Sequence, residues 1–132
     1  MKLIVCLDDK NGMLFHHRRQ SSDLVVLKKI LELVGTEKLW MNSYSGYLFA
    51  NHAGNIQVCE DFLEKAPKGA YCFVENVDIE PFLAHFKEIY VFRWNRTYPS
   101  DMKFPNVLLG GIRLCDFSGN SHDKVTLEVY KL

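Results

Sequence analysis

Leu3-Ile4-Val5-Cys6-Leu7-Asp8-Asp9-Lys10-Asn11-Gly12 opens the chain with an unbroken apolar run that stops on charge and a turn signal. A strand covered on both faces needs no polar alternation, so this run reads as a central strand followed by a turn. Residues 88–94, Glu88-Ile89-Tyr90-Val91-Phe92-Arg93-Trp94, are rich in β-formers and read as a second long strand. Between the two, Ser21-Ser22-Asp23 offers capping hydroxyls and an acidic first turn to a helix that ends near Val34, just before Gly35. Its apolar stripe is Leu24, Leu27, Ile30, Leu31 and Val34. Leu39-Trp40-Met41 reads as a short buried strand leading into a short helix through Phe49. Residues 56–60 and 71–74 read as further strands, and residues 77–86 as a helix with Pro81 in its first turn. Residues 113–117 and 125–132 form an antiparallel pair joined by Ser118-Gly119-Asn120-Ser121. The class is therefore α/β: a mostly parallel central sheet flanked by helices, with an antiparallel C-terminal edge pair.

At 132 residues, 48% apolar and 24% charged, the chain has the composition of one folded domain and is not disordered. Sixteen Lys and Arg balance sixteen Asp and Glu, so no global field draws a phosphate backbone and a dedicated nucleic-acid binder is disfavoured. The opening apolar run is too short for a signal-peptide core or a membrane span, which predicts a soluble, cytoplasmic protein. Cys6, Cys59, Cys72 and Cys115 form no C-x-x-C pair and read as reduced core residues. No histidine spacing fits a metal motif, so no metal is expected. His16-His17-Arg18-Arg19-Gln20 is the one basic cluster, either a solvated loop or a site for phosphate or acid-base chemistry. Gly110-Gly111 reads as a bend between strands.

The order of these elements, with the residues that decorate them, resembles dihydrofolate reductase. Leu3 to Met13 is similar to the family's first strand and the flexible loop that closes over its active site. Ser22-Asp23-Leu24 opens the next helix, where the family carries its acidic residue. Leu39-Trp40-Met41-Asn42-Ser43-Tyr44-Ser45 is similar to the family's apolar-apolar-Met-Gly-Arg-x-Thr/Ser. Phe73-Val74-Glu75-Asn76, ahead of Ile79-Glu80-Pro81-Phe82-Leu83, stands where the family has apolar-Gly-Gly and a helix. Ile89-Tyr90-Val91, then Asp101-Met102-Lys103-Phe104-Pro105, and finally Val125 to Tyr130 resemble its later strands. The resemblance covers nearly the whole chain, is faint at any one place, and implies a single dihydrofolate reductase-like domain over residues 1–132. It also implies a ligand pocket of Leu7, Met13, Asp23, Leu27, Tyr44, Ser45 and Val74. Asp23 would be the catalytic carboxyl, bonding a flat heterocycle and promoting its protonation. Asp23 precedes Leu27, Ile30 and Leu31 at helical spacing, which puts it on the buried stripe; a purely structural place beside the helix dipole is the other reading.

The cofactor half departs from the family. Gly-Gly lets a backbone approach the NADPH pyrophosphate, and here those positions are Glu75 and Asn76. A carboxylate about 4 Å from a phosphate costs on the order of a few kcal/mol. Asn42 and Ser43 replace Gly-Arg, and Ser45 alone keeps its hydroxyl. Between Asn55 and Tyr71 the chain is too short for the family's extra strand and helix. Phe92 stands where the family often has Thr. No cofactor is therefore expected, and the reading is a domain without NADPH-dependent reductase activity. It would bind a small flat or nucleotide-like ligand or serve as an interaction scaffold. Two alternatives stay open: an active NADPH-dependent reductase of a pterin-like substrate, and a small metal-free ribonuclease using His16 to Arg19.

Overall fold

The apolar opening becomes strand β1 (Lys2–Leu7), followed by a hairpin of β2 (Gly12–Phe15) and β3 (Arg18–Arg19). Helix α1 (Leu24–Val34) comes next, then β4 (Leu39–Met41), α2 (Ser43–Leu48), β5 (Ile56–Val58), the single turn α3 (Phe62–Lys65) and β6 (Tyr71–Phe73). A 3-10 helix (Glu80–His85) leads into β7 (Glu88–Arg93), the short β8 (Met102–Lys103) and a closing hairpin of β9 (Ile112–Phe117) and β10 (Val125–Lys131). The structure is a computed structural model that describes residues 1–52 and 54–132.

Seven strands form the main sheet in the order β5-β4-β6-β1-β7-β10-β9. The first five run parallel, and β10 is antiparallel to both β7 and β9. This is the class the sequence predicted, and β1 holds the central place its apolar run requires. Leu3, Val5 and Leu7 enter one core, while Ile4 enters the other, against α1; all four are 0% exposed. Between β5, at the sheet edge, and β6 only α3 intervenes. No helix among the described residues is long and apolar enough to cross a membrane.

Four details differ from the sequence reading. Helix α1 buries Val26, Leu27, Ile30 and Val34, whereas Leu24 is 50% exposed. Both sets have helical spacing, and the sheet against which the helix packs decides between them. Residues 77–86 do not form an α-helix: Phe82 N–H donates to Ile79 and Phe86 N–H to Leu83, the tighter 3-10 pattern. Pro81 lacks an N–H in the first turn and the run is too short to propagate. Cys115 lies exposed on edge strand β9, and only Cys72 is fully in the core. Finally, β2, β3 and β8 make a second, antiparallel sheet that the sequence did not signal.

The basic cluster builds this small sheet. His16 and His17 are the two turn residues of the β2–β3 hairpin, at φ 48° and 62°. Positive φ at both positions twists the strands correctly but suits Asn-Gly better than two histidines. His17→Gly is expected to raise stability by about 0.5–1 kcal/mol, read as a higher melting temperature; a loss would show that the His17 ring is held by contacts.

Candidate functional site

Ligands of parallel α/β sheets bind outside the carboxyl ends of the strands. At that edge the chain leaving β6 carries Glu75 and Asn76, and the chain leaving β4 carries the α2 cap Asn42, then Tyr44 and Ser45. The β2–β3 hairpin folds across this edge and delivers Arg19 into it. Arg19 Nε donates to Glu75 Oε2 at 2.8 Å and Nη2 to Oε1 at 3.1 Å, a bidentate pair. Ser45 Oγ donates to Glu75 Oε1 at 2.8 Å, Arg19 N–H donates to the Tyr44 hydroxyl at 2.8 Å, and the guanidinium lies 4.6 Å from the Tyr44 ring centroid. Asn42 Nδ2 donates to Asn76 Oδ1 at 2.8 Å beside them. Behind this plug about 20 Å³ of enclosed space remains, bounded by Met13, Val26, Leu27, Phe73 and Trp94. That is room for about one water. Cys6 also faces it, but burial, helped by the Glu75 charge, pushes its thiol well up and keeps it neutral.

Asp23 stands one step outside the helix, as the N-cap of α1, and not on its buried stripe. Its carboxylate receives six donors: Val25 and Val26 N–H at 2.9 and 3.4 Å, Asn120 and Ser121 N–H at 3.1 and 2.9 Å, Ser121 Oγ at 3.1 Å and His122 Nδ1 at 3.1 Å. Burial alone would raise its pKa, but the donors from Ser121, Asn120 and His122 outweigh that and hold the carboxyl well below the usual range. The β9–β10 turn can come this close because residue 119 is glycine; a Cβ there would collide with the Asp23 carboxylate. His122 is 5% exposed and stacked on Trp94 at 4.5 Å. Its Nε2 lies 3.1 Å from Ser21 Oγ and 3.1 Å from the Tyr98 hydroxyl.

No family profile and no curated protein match the chain. Among solved structures, dihydrofolate reductase from Enterococcus faecalis complexed with NADP(H) and RAB-propyl superposes with a TM-score of 0.66. The match covers 98% of this chain and 94% of that one, at 12% identity. The fold is that of dihydrofolate reductase.

On this dihydrofolate reductase fold, the residues predicted for the pocket separate into three places. Met13, Asp23 and Leu27 reach the narrow space behind the plug. Tyr44 and Ser45 are engaged by the plug itself. Leu7 and Val74 pack in the core on the sheet face away from α1. Sequence reasoning missed Arg19 as the partner of Glu75, and missed that Ser21, Tyr98 and His122 come together. It also missed Asp8, which accepts from Lys10, Gly12 and Tyr98 N–H and from Gln20 Nε2 and so ties the hairpin to the loop after β7. Only Asp8 had a local signal, its Asp-Asp-Lys-Asn-Gly turn; the other partners lie far apart in the chain. Among the described residues, no three His, Cys, Asp or Glu side chains gather to hold a metal ion.

Proposed function

We propose that residues 1–132 form a dihydrofolate reductase-fold domain without NADPH-dependent reductase activity, which binds a small nucleotide-like ligand outside the plugged cleft. The observation that carries this reading is the Arg19–Glu75 pair, which occupies the cleft and leaves about 20 Å³ behind it. A flat heterocycle has no volume to enter, and the Asp23 lone pairs that would grip it are engaged by the protein's own donors. NADPH does not fit these residues either. Glu75 and Asn76 put side chains where Gly-Gly would admit a pyrophosphate, and Asn42-Ser43 offers no guanidinium.

Outside the plug, Phe15, His16, Arg18 and Tyr98 line an open groove of about 450 Å³. That volume suits a mononucleotide. The rings of Phe15 and His16, stacked at 3.8 Å, offer a flat surface, and exposed Arg18 offers a cation for phosphate.

A thermal-shift series tests this reading. NADPH, NADP and folates are expected to leave the melting temperature unchanged, and NADPH is not consumed with dihydrofolate. Mononucleotides at about 100 times Kd stabilise by about 2.7 kcal/mol, a shift of several degrees that Arg18→Ala removes. A shift with NADPH together with its consumption restores the reductase reading. No shift with any nucleotide leaves the scaffold reading.

A further inference from the structure

Ser21, His122 and Asp23 meet from opposite ends of the chain in a single file of hydrogen bonds. Ser21 Oγ lies 3.1 Å from His122 Nε2, and His122 Nδ1 lies 3.1 Å from Asp23 Oδ2. We propose that this file is a nucleophile, a general base and a positioning carboxylate, and that the protein hydrolyses small carboxylic esters at Ser21.

The parts have the properties the chemistry needs. Asp23 accepts from backbone N–H groups of two separate segments, which favour its carboxylate form and fix its position. Facing Nδ1, it fixes the proton there and leaves Nε2 as the acceptor. The Trp94 stack, at 26° between ring planes, sets the imidazole orientation. Nε2 has one lone pair but two hydroxyls within reach, those of Ser21 and Tyr98. When Ser21 donates to it, the Tyr98 proton is left to serve another acceptor beside the nucleophile, where an ester oxygen gains charge. His122 is buried, whereas Ser21 is half-buried and borders the enclosed space shared with Val26, Leu27, Leu48 and Trp94. That space, about 20 Å³, has room for about one water and takes no acyl chain, so the ester is presented from the solvent side of half-buried Ser21.

In the first step the Ser21 Oγ proton passes to Nε2 as Oγ bonds to the ester carbonyl carbon. The bond from that carbon to the alcohol oxygen then breaks, and the leaving oxygen takes the proton from Nε2. Acyl-Ser21 and the free alcohol result. In the second step Nε2 takes a proton from water as the water oxygen bonds to the acyl carbon. The bond to Oγ breaks and Oγ recovers the proton, releasing the acid. No metal or redox partner is needed.

The test uses the purified full chain, a fluorophosphonate probe and p-nitrophenyl esters. The probe is expected to form one adduct, mapped by mass spectrometry to Ser21, and p-nitrophenyl acetate is cleaved. Ser21→Ala abolishes the adduct and lowers kcat by about 10³-fold or to the buffer rate. Asp23→Asn, which keeps an N-cap side chain, lowers kcat and leaves KM unchanged. The proposal is overturned by no adduct, by an adduct on Tyr98 in place of Ser21, by a Ser21→Ala variant as fast as wild type, or by an unchanged kcat in Asp23→Asn.

Discussion

Asp23→Ala is expected to lose about 3–5 kcal/mol at neutral pH, as much as truncating a large core side chain. Removing the N-cap accounts for about 0.5–2 kcal/mol. The remainder comes from the β9–β10 turn, whose Asn120 and Ser121 N–H groups and buried His122 ring lose their acceptor, at about 1–3 kcal/mol for each donor left dry. For a chain of this size the melting temperature drops by roughly 10–20 °C. The same carboxylate makes the wild type acid-sensitive. Its folded pKa is depressed, so its contribution is complete above the unfolded value near 3.8 and is lost as pH falls through the folded value. Urea unfolding from pH 7 to pH 2 is expected to show a steep fall below about pH 4 in the wild type. Asp23→Asn, which has no charge to protonate, shows a shallower fall. A melting temperature within a few degrees of wild type for Asp23→Ala, or parallel acid profiles for wild type and Asp23→Asn, would mean that the turn holds without the carboxylate.

The contrast between Asp23 and its surroundings shows what a sequence can and cannot display. Elements defined by neighbours in the chain were legible: the unbroken run of β1, the span of α1 with Gly35 at its end, and the turn between β9 and β10, although the cap of α1 is Asp23 and not a serine hydroxyl. Where two local patterns fit equally, the sheet decided, as in the exchange of Leu24 for Val26 on the buried face. The site was legible only as a list of residue types. Glu75 was visible as a charge hostile to phosphate, yet its partner Arg19 stands 56 positions away. Asp23 was visible as a carboxyl at a helix start, yet His122 arrives from 99 positions away on a turn that looked like a plain connection. Neither pairing leaves a periodicity or a motif, because each depends on how the hairpin and the terminal strands close over the same sheet edge.

Arg19→Ala is expected to cost about 1–3 kcal/mol, and it also tests whether the plug closes the cleft. Glu75 has 9% of its side chain exposed, so without Arg19 it keeps only the Ser45 hydroxyl on a nearly buried charge. Arg19 itself is 27% exposed, so water screens part of the pair and the loss stays below that of a fully buried ion pair. Glu75→Ala strands a guanidinium that can turn to solvent and still lies over Tyr44, and it costs less. In the Arg19→Ala/Glu75→Ala double variant no unpaired charge remains. Its destabilisation is therefore expected to fall short of the sum of the singles by about 1–3 kcal/mol, measured as a double-mutant cycle in urea. Two variants of similar stability then differ in what they admit. Wild type is expected to show no thermal shift with a folate, whereas the double variant opens the space behind the plug and gains one. If the double variant stays unresponsive while its cycle shows the coupling, Arg19 and Glu75 stabilise the fold but are not what keeps a heterocycle out. Exclusion would then rest on the packing of Val26, Leu27 and Trp94 around the enclosed space, which neither substitution touches.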